Sequence, residues 1–241
     1  MQELQSKYAK SPANVTKKTL VLALDNCILK TSIFKDELPR IDGLFFYQKL
    51  KILVCFRNDF KAFLKTMQKY YEIIAWQSSQ LDYSEQIINL IESALHFKFD
   101  HKLSLVEQNA SEDNSYYVKN IDILTGPLGN RNPQDIVVVD CQMSNFTNKL
   151  TNGLYLPPYS LHDDKNDRML KSLGQYLLSL AKSSVADVRQ KIKVDFDLLT
   201  KFNGFKQNQA FLKIAQRTQE ESGLDYKQEL KKHKKSNSPQ N

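Results

Sequence analysis

Residues Thr19 to Leu29 read T-L-V-L-A-L-D-N-C-I-L. Apolar residues fill both alternating positions, the pattern of a strand covered on both faces, and the run ends in an aspartate followed by a turn residue. In an open parallel sheet the ligand crevice lies beyond the C-terminal ends of the strands, so Asp25 is delivered to that edge just past Leu24. A cleft built on paired carboxylates wants a second one at position 23, and position 23 is Ala. The stretch therefore reads as a disarmed active site.

The same signature recurs downstream. Glu72 to Trp76, E-I-I-A-W, is a second buried strand; Gln77, Ser78 and Ser79 follow it, and their polar side chains reach the same crevice, where hydroxyls suit phosphate. Ile136 to Asp140, I-V-V-V-D, is a third strand ending in a carboxylate, and Asn152 to Leu156 is a fourth, closed by Pro157 and Pro158. Leu44 to Tyr47 and Lys51 to Arg57 read as an antiparallel hairpin beside the main sheet. Helical spacing appears over Asp59 to Tyr70 with Asn58 as its cap, over Ser84 to Leu95, over Asp163 to Ala181 and over Val185 to Leu199. Phe97 to Leu105 alternates like an edge strand or short hairpin, and Tyr116 to Leu124 carries Lys119. Strands alternating with helices give an α/β fold with a parallel sheet.

At 241 residues and 41% hydrophobic content the chain has the material for one large domain with a tail, or two small ones. The net charge of +7 favours acidic partners, although the lysines between Lys227 and Lys235 read as a solvated helix end. They are not interleaved with exposed aromatics, which argues against nucleic acid as the main partner. Cys27, Cys55 and Cys141 lack the spacing of a disulfide framework or zinc site and read as reduced, buried thiols. His96, His101, His162 and His233 are scattered without ligand spacing, and Trp76 reads as core. No apolar run is long enough to span a bilayer, so attachment to a membrane is peripheral at most. No signal-peptide core opens the chain, and the first arginine is Arg40, so an Arg-rich presequence is not apparent.

Taken in order, K-T-L-V-L-A-L-D-N-C-I-L, K-Y-Y-E-I-I-A-W-Q-S-S, Y-V-K-N-I, I-V-V-V-D-C and N-G-L-Y-L-P-P-Y resemble the haloacid dehalogenase superfamily, and within it the phosphatase domain of the RNA polymerase II C-terminal-domain phosphatases. The resemblance covers about residues 17 to 182. It implies a Rossmann-like, doubly wound parallel sheet with a small β-hairpin insertion and a C-terminal helical extension. In that family the first motif is D-x-D-x-T, whose first Asp forms an aspartyl-phosphate while the second protonates the leaving oxygen. Residue by residue, the nucleophile position falls on Ala23, the acid/base on Asp25 and the threonine on Cys27. The phosphate-binding Thr falls on Gln77, the phosphate-neutralising lysine on Lys119, the metal-binding Asp on Asp140, and a usual acidic or amide position on Cys141. No catalytic role is expected at these degenerate positions. No cofactor is expected, and Mg²⁺ would at most be held weakly by the vestigial Asp25 and Asp140. Lys119 reads as a buried ion-pair partner of Asp25 or Asp140.

A narrower likeness joins I-V-V-V-D-C, N-G-L-Y-L-P-P-Y, D-D-K-N-D-R-M-L, L-G-Q-Y-L-L-S-L-A and V-A-D-V-R-Q-K-I. These resemble the presequence-receptor subunits of the mitochondrial inner-membrane translocase, which also depart from the catalytic motif. The likeness implies a pseudophosphatase acting as a protein-binding or scaffold subunit of a mitochondrial inner-membrane assembly, on the intermembrane-space side. The alternatives are a presequence import receptor, a nuclear or cytoplasmic pseudophosphatase binding acidic or phosphorylated peptides and, last, an active Mg-dependent phosphatase. The expected organisation is a polar arm at 1–17, the phosphatase-like domain at 18–183, a helical extension at 184–230 and a basic disordered tail at 231–241.

Overall fold

The computed structural model describes residues 7–110, 116–182 and 184–198. Expectations for the tail and for most of the C-terminal extension lie outside these residues.

The centre of the fold is β1 (Lys18–Leu22), paired in parallel with β5 (Tyr71–Trp76) on one side and β9 (Ile136–Asp140) on the other. A short strand closes each edge, β6 (His101–Leu103) beside β5 and β10 (Gly153–Tyr155) beside β9, giving the order β10-β9-β1-β5-β6. Phe97 to Leu105 thus supplies one parallel edge strand and no hairpin. The order reverses at β1 and β9, so the strand-end loops of that pair diverge and open a crevice there. Both faces are covered, which is why these strands are apolar throughout.

One face carries α1 (Phe60–Met67), α2 (Leu81–Leu95), α4 (Met169–Ala181) and α5 (Val188–Phe196), packed on Leu20, Leu22, Ile73, Val137 and Val139. The other face carries Val21, Ile74, Trp76 and Val138, covered by Tyr8, the short α3 (Asp122–Thr125) and Phe146. Trp76 is core, its indole N–H donating to the Ser104 carbonyl at 3.1 Å. Gly153 is forced by packing: a Cβ there would lie 2.1 Å from the Phe146 ring.

The hairpin forms as β3 (Gly43–Tyr47) and β4 (Leu50–Phe56), with β2 (Leu29–Ser32) added on the far side of β4 to make a three-stranded sheet. β2 was not legible because Leu29–Ser32 directly follows the Asp25 loop without a separating turn signal. Gln48 and Lys49 both take left-handed φ, the two-residue turn that favours a right-twisted hairpin, without the Asn-Gly that announces it. A two-stranded ladder pairs β7 (Asn109–Ala110) with β8 (Tyr117–Val118).

Helix starts differ from expectation: α2 begins three residues earlier, at Leu81, α5 three residues later, at Val188, and two others have identifiable causes. Asn58 does not cap α1; its amide donates to the Asp164 carbonyl, and α1 is entered through Asp59 at φ 64°. The helix expected from Asp163 begins only at Met169, because Leu161–Asn166 forms a 3₁₀ segment held by Asp164 and Asp167. There Arg40 pairs with Asp164 at 2.7 Å, and buried Arg57 pairs with Asp167 at 2.7 Å while donating to the carbonyls of Cys27 and Pro157. Arg57 thereby ties the loop after β1 to the Pro157-Pro158 bend.

At the N-terminal ends of the strands lies a buried charge network. Glu72 accepts from Arg131 at 2.6 and 2.7 Å and from the Thr19 hydroxyl at 2.8 Å, and lies 3.2 Å from His101 Nε2. Arg131 also donates to the Tyr8 carbonyl, which pins residues of the N-terminal arm. Burial pushes the Glu72 carboxyl up, but the hydrogen bonds from His101, Arg131 and Thr19 outweigh it and hold it down to about 2. Arg131→Met leaves that carboxylate buried without its cation and is expected to lower stability by about 3–5 kcal/mol, read by urea unfolding. Because the folded-state pKa is depressed, the wild-type network should contribute fully above pH 4.5 and fade as pH falls towards about 2.

Candidate functional site

The crevice at the C-terminal ends of β1, β5 and β9 is a cavity of about 230 Å³ lined by Ala23, Asp25, Asn26, Gln77, Ser78, Ser79, Lys119, Asp140, Cys141, Gln142 and Asn145. Of the positions singled out in the sequence, only Cys27 is missing from the wall. It lies fully buried, while the Cys141 thiol donates to the Asp25 carbonyl at 3.8 Å, and all three cysteines are free thiols.

Asp140 ends β9 inside the cavity and accepts three hydrogen bonds. Its Oδ2 accepts from Lys119 Nζ and from Asn145 Nδ2 at 2.9 Å, and its Oδ1 accepts from the Gln142 backbone N–H at 2.9 Å. Lys119 and Asp140 are each almost wholly buried, so the ion pair is internal to the protein. The Lys119 backbone N–H donates to the Asn145 carbonyl at 2.6 Å, fastening the lysine-bearing segment to the loop after β9. Of the two partners foreseen for Lys119, the structure selects Asp140.

Asp25 is held differently. Gln77 reaches across from β5, donating through Nε2 to Asp25 Oδ2 at 2.8 Å and accepting the backbone N–H groups of Leu24 and Asp25 at 3.0 and 3.3 Å. Among the described residues Asp25 Oδ1 receives only the Tyr83 hydroxyl, at 3.5 Å. Burial pushes the Asp25 carboxyl up to about 6, against the opposing pull of Gln77, Tyr83 and the Lys119 charge. Ala23 stands between the two aspartates, its N–H bonded to the Val139 carbonyl at 3.0 Å and its methyl in the cavity wall.

These donors do not fit a divalent cation. Mg²⁺ demands near-octahedral oxygen ligands, usually including carboxylates. Position 23 offers a methyl, and the Asp140 oxygens are already taken by an ammonium, an amide and a backbone N–H. Among the described residues no group of three or more His, Cys, Asp or Glu side chains could hold a metal. What the arrangement can do is hold or release a proton at Asp25.

Asn145, Gln142 and Tyr83 were not foreseen. Asn145 sits in a 3₁₀ stretch with irregular backbone at Phe146, and Tyr83 reaches the cavity from α2 while packing edge-on against Phe45 and Tyr47 of the hairpin. Neither position has a local sequence signal. Ser78 and Ser79 line the wall as expected.

A carboxyl whose folded-state pKa is raised penalises folding wherever it is ionised; for Asp25 that penalty grows above pH 3.8 and is complete above about 6. Asp25→Asn is therefore expected to raise stability by about 3 kcal/mol at pH 8 and to change little below pH 4. Lys119→Met, which strands Asp140, should lower stability by about 3–5 kcal/mol. Thermal and urea unfolding across pH check both.

The sequence family described as NLI interacting factor-like phosphatase matches residues 18–189. The chain is 27% identical over 182 residues to CTD small phosphatase-like protein 2 of Dictyostelium discoideum, covering 75% of this chain and 30% of that protein. It is 28% identical over 131 residues to the mitochondrial import inner membrane translocase subunit TIM50 of Kluyveromyces lactis, covering 54% of this chain and 25% of that one. The solved structure of Fcp1, an essential RNA polymerase II CTD phosphatase, is similar at a TM-score of 0.48 and 17% identity, over 73% of this chain and 52% of that one. The chain thus spans only a quarter to a third of the length of these two curated relatives. The family match runs from the start of β1 into α5 and takes in every wall residue of the crevice, and on that span the chain belongs to the NLI interacting factor-like phosphatase family.

Proposed function

We propose that this domain is a catalytically inactive member of its family, a protein-binding or scaffold subunit of a mitochondrial inner-membrane assembly. The observation that carries the reading is Ala23, a methyl in the cavity wall where the family resemblance implies the nucleophile. Without a carboxylate there, no aspartyl-phosphate can form, and Asp25 retains only the proton-transfer half of a two-step displacement. Lys119 supports the same reading. An ammonium bound to Asp140 already neutralises the carboxylate that a metal would need. The mitochondrial assignment rests on the likeness to TIM50, and among the described residues no helix is long and apolar enough to cross a membrane.

A second reading, a pseudophosphatase binding phosphorylated or acidic peptides, draws support from the longer match to CTD small phosphatase-like protein 2. The cavity charge weighs against it, because two aspartates face one lysine.

The purified chain with Mg²⁺ is expected to hydrolyse p-nitrophenyl phosphate no faster than buffer, and Ala23→Asp alone to remain at that background because Lys119 still occupies Asp140. Turnover that Asp25→Asn abolishes would overturn the inactive reading. Affinity purification with cross-linking and mass spectrometry is expected to recover inner-membrane proteins; recovery of nuclear proteins alone would favour the second reading.

A further inference from the structure

The crevice has one strong acceptor to spare. Asp140 accepts from an ammonium, an amide and a backbone N–H, whereas among the described residues Asp25 Oδ1 receives only a hydroxyl at 3.5 Å. Among the described residues the charged side chains of the wall are Asp25, Asp140 and Lys119, and with Lys119 paired to Asp140 one negative charge there is left without a cation. Ala23 stands in the same wall, with neutral oxygens of Ser78, Ser79 and Gln142.

We propose that this crevice receives the ammonium group of a lysine side chain presented by a partner protein, paired to Asp25. Three features select that chemistry. The excess negative charge favours a cation and repels phosphate or carboxylate. Only one Asp25 oxygen is open, because Gln77 occupies the other at 2.8 Å. A guanidinium fork, which gains most from binding both oxygens of a carboxylate, is therefore mismatched, while the compact ammonium needs a single strong acceptor and neutral oxygens around it. Finally, about 230 Å³ is below the roughly 300 Å³ at which small-molecule pockets begin, and suits one inserted side chain. Tyr83 gives the crevice a mechanical link outward, since its ring packs on Phe45 and Tyr47 of the hairpin while its hydroxyl faces Asp25.

The inference rests on the reading of the domain as a protein-binding fold, yet the two fail separately. A partner held by another surface would leave the crevice silent without restoring phosphatase activity.

The test is an NMR titration of the ¹⁵N-labelled full chain, following the backbone amides of Leu24, Asp25 and Ser78. The probes are Nα-acetyl-lysine methylamide, its arginine and norleucine counterparts, and spermidine. The lysine probe is expected to give saturable shifts at these amides with a Kd on the order of millimolar, as befits a single side chain. The arginine probe should bind several-fold more weakly and the norleucine probe should give no shifts. Asp25→Asn, its fold verified by the same spectrum, should weaken the lysine probe at least tenfold. Ala23→Leu, which fills the wall but keeps the charge, should do likewise. Shifts absent at the crevice, unchanged in Asp25→Asn, or matched by norleucine would overturn the proposal. Tight binding of spermidine with no response to the lysine probe would also overturn it, assigning the crevice to a free polyamine.

Discussion

The ion pair between Lys119 and Asp140 is the interaction on which the functional edge of this protein depends. Both groups are almost wholly removed from water, and each charge alone would be several kilocalories per mole too costly to bury. Together, with Asn145 and the Gln142 N–H also donating to Asp140, they form a buried polar unit in which the two charges offset each other. That unit joins the end of β9, the segment carrying Lys119 and the loop reaching Asn145. The crevice consequently keeps its shape by virtue of its own side chains.

Asp25 shows what the same edge looks like without such a pair. The two aspartates stand at neighbouring strand ends, yet one carries a cation and the other an amide and a distant hydroxyl. The difference follows from which residues the neighbouring strands deliver. The segment following β8 brings a lysine, whereas β5 brings Gln77, whose amide can both donate to Asp25 and accept from the turn that carries it. Gln77 thus fixes the geometry of Asp25 without discharging it.

Much of this was legible in the sequence because strands covered on both faces announce themselves. T-L-V-L, E-I-I-A-W and I-V-V-V-D fall in the central β1, β5 and β9, and the polar residues after them converge where parallel topology requires. Cys27 was placed in the site by motif alone, and the structure puts it below the wall because the chain turns inward directly after Asn26. Residues set by tertiary context were not legible. Tyr83 approaches from a helix face, Asn145 from an irregular loop, and β2 is defined only by its pairing with β4. Asn58 carried a genuine capping signal, but Asp164 supplied a competing acceptor from a distant part of the chain.

The Glu72–Arg131 network stands at the opposite end of the strands from the crevice and joins Tyr8, Thr19, Glu72, His101 and Arg131, five positions spread over more than a hundred residues of sequence. A chain whose long-range closure is secured there can let the other end drift. Substitutions at the strand tips that leave the Lys119–Asp140 pair intact then alter chemistry while the far network still holds the chain together. Such a division makes the crevice evolvable: positions such as 23 and 25 can change by single replacement so long as the buried Lys119–Asp140 pair is kept.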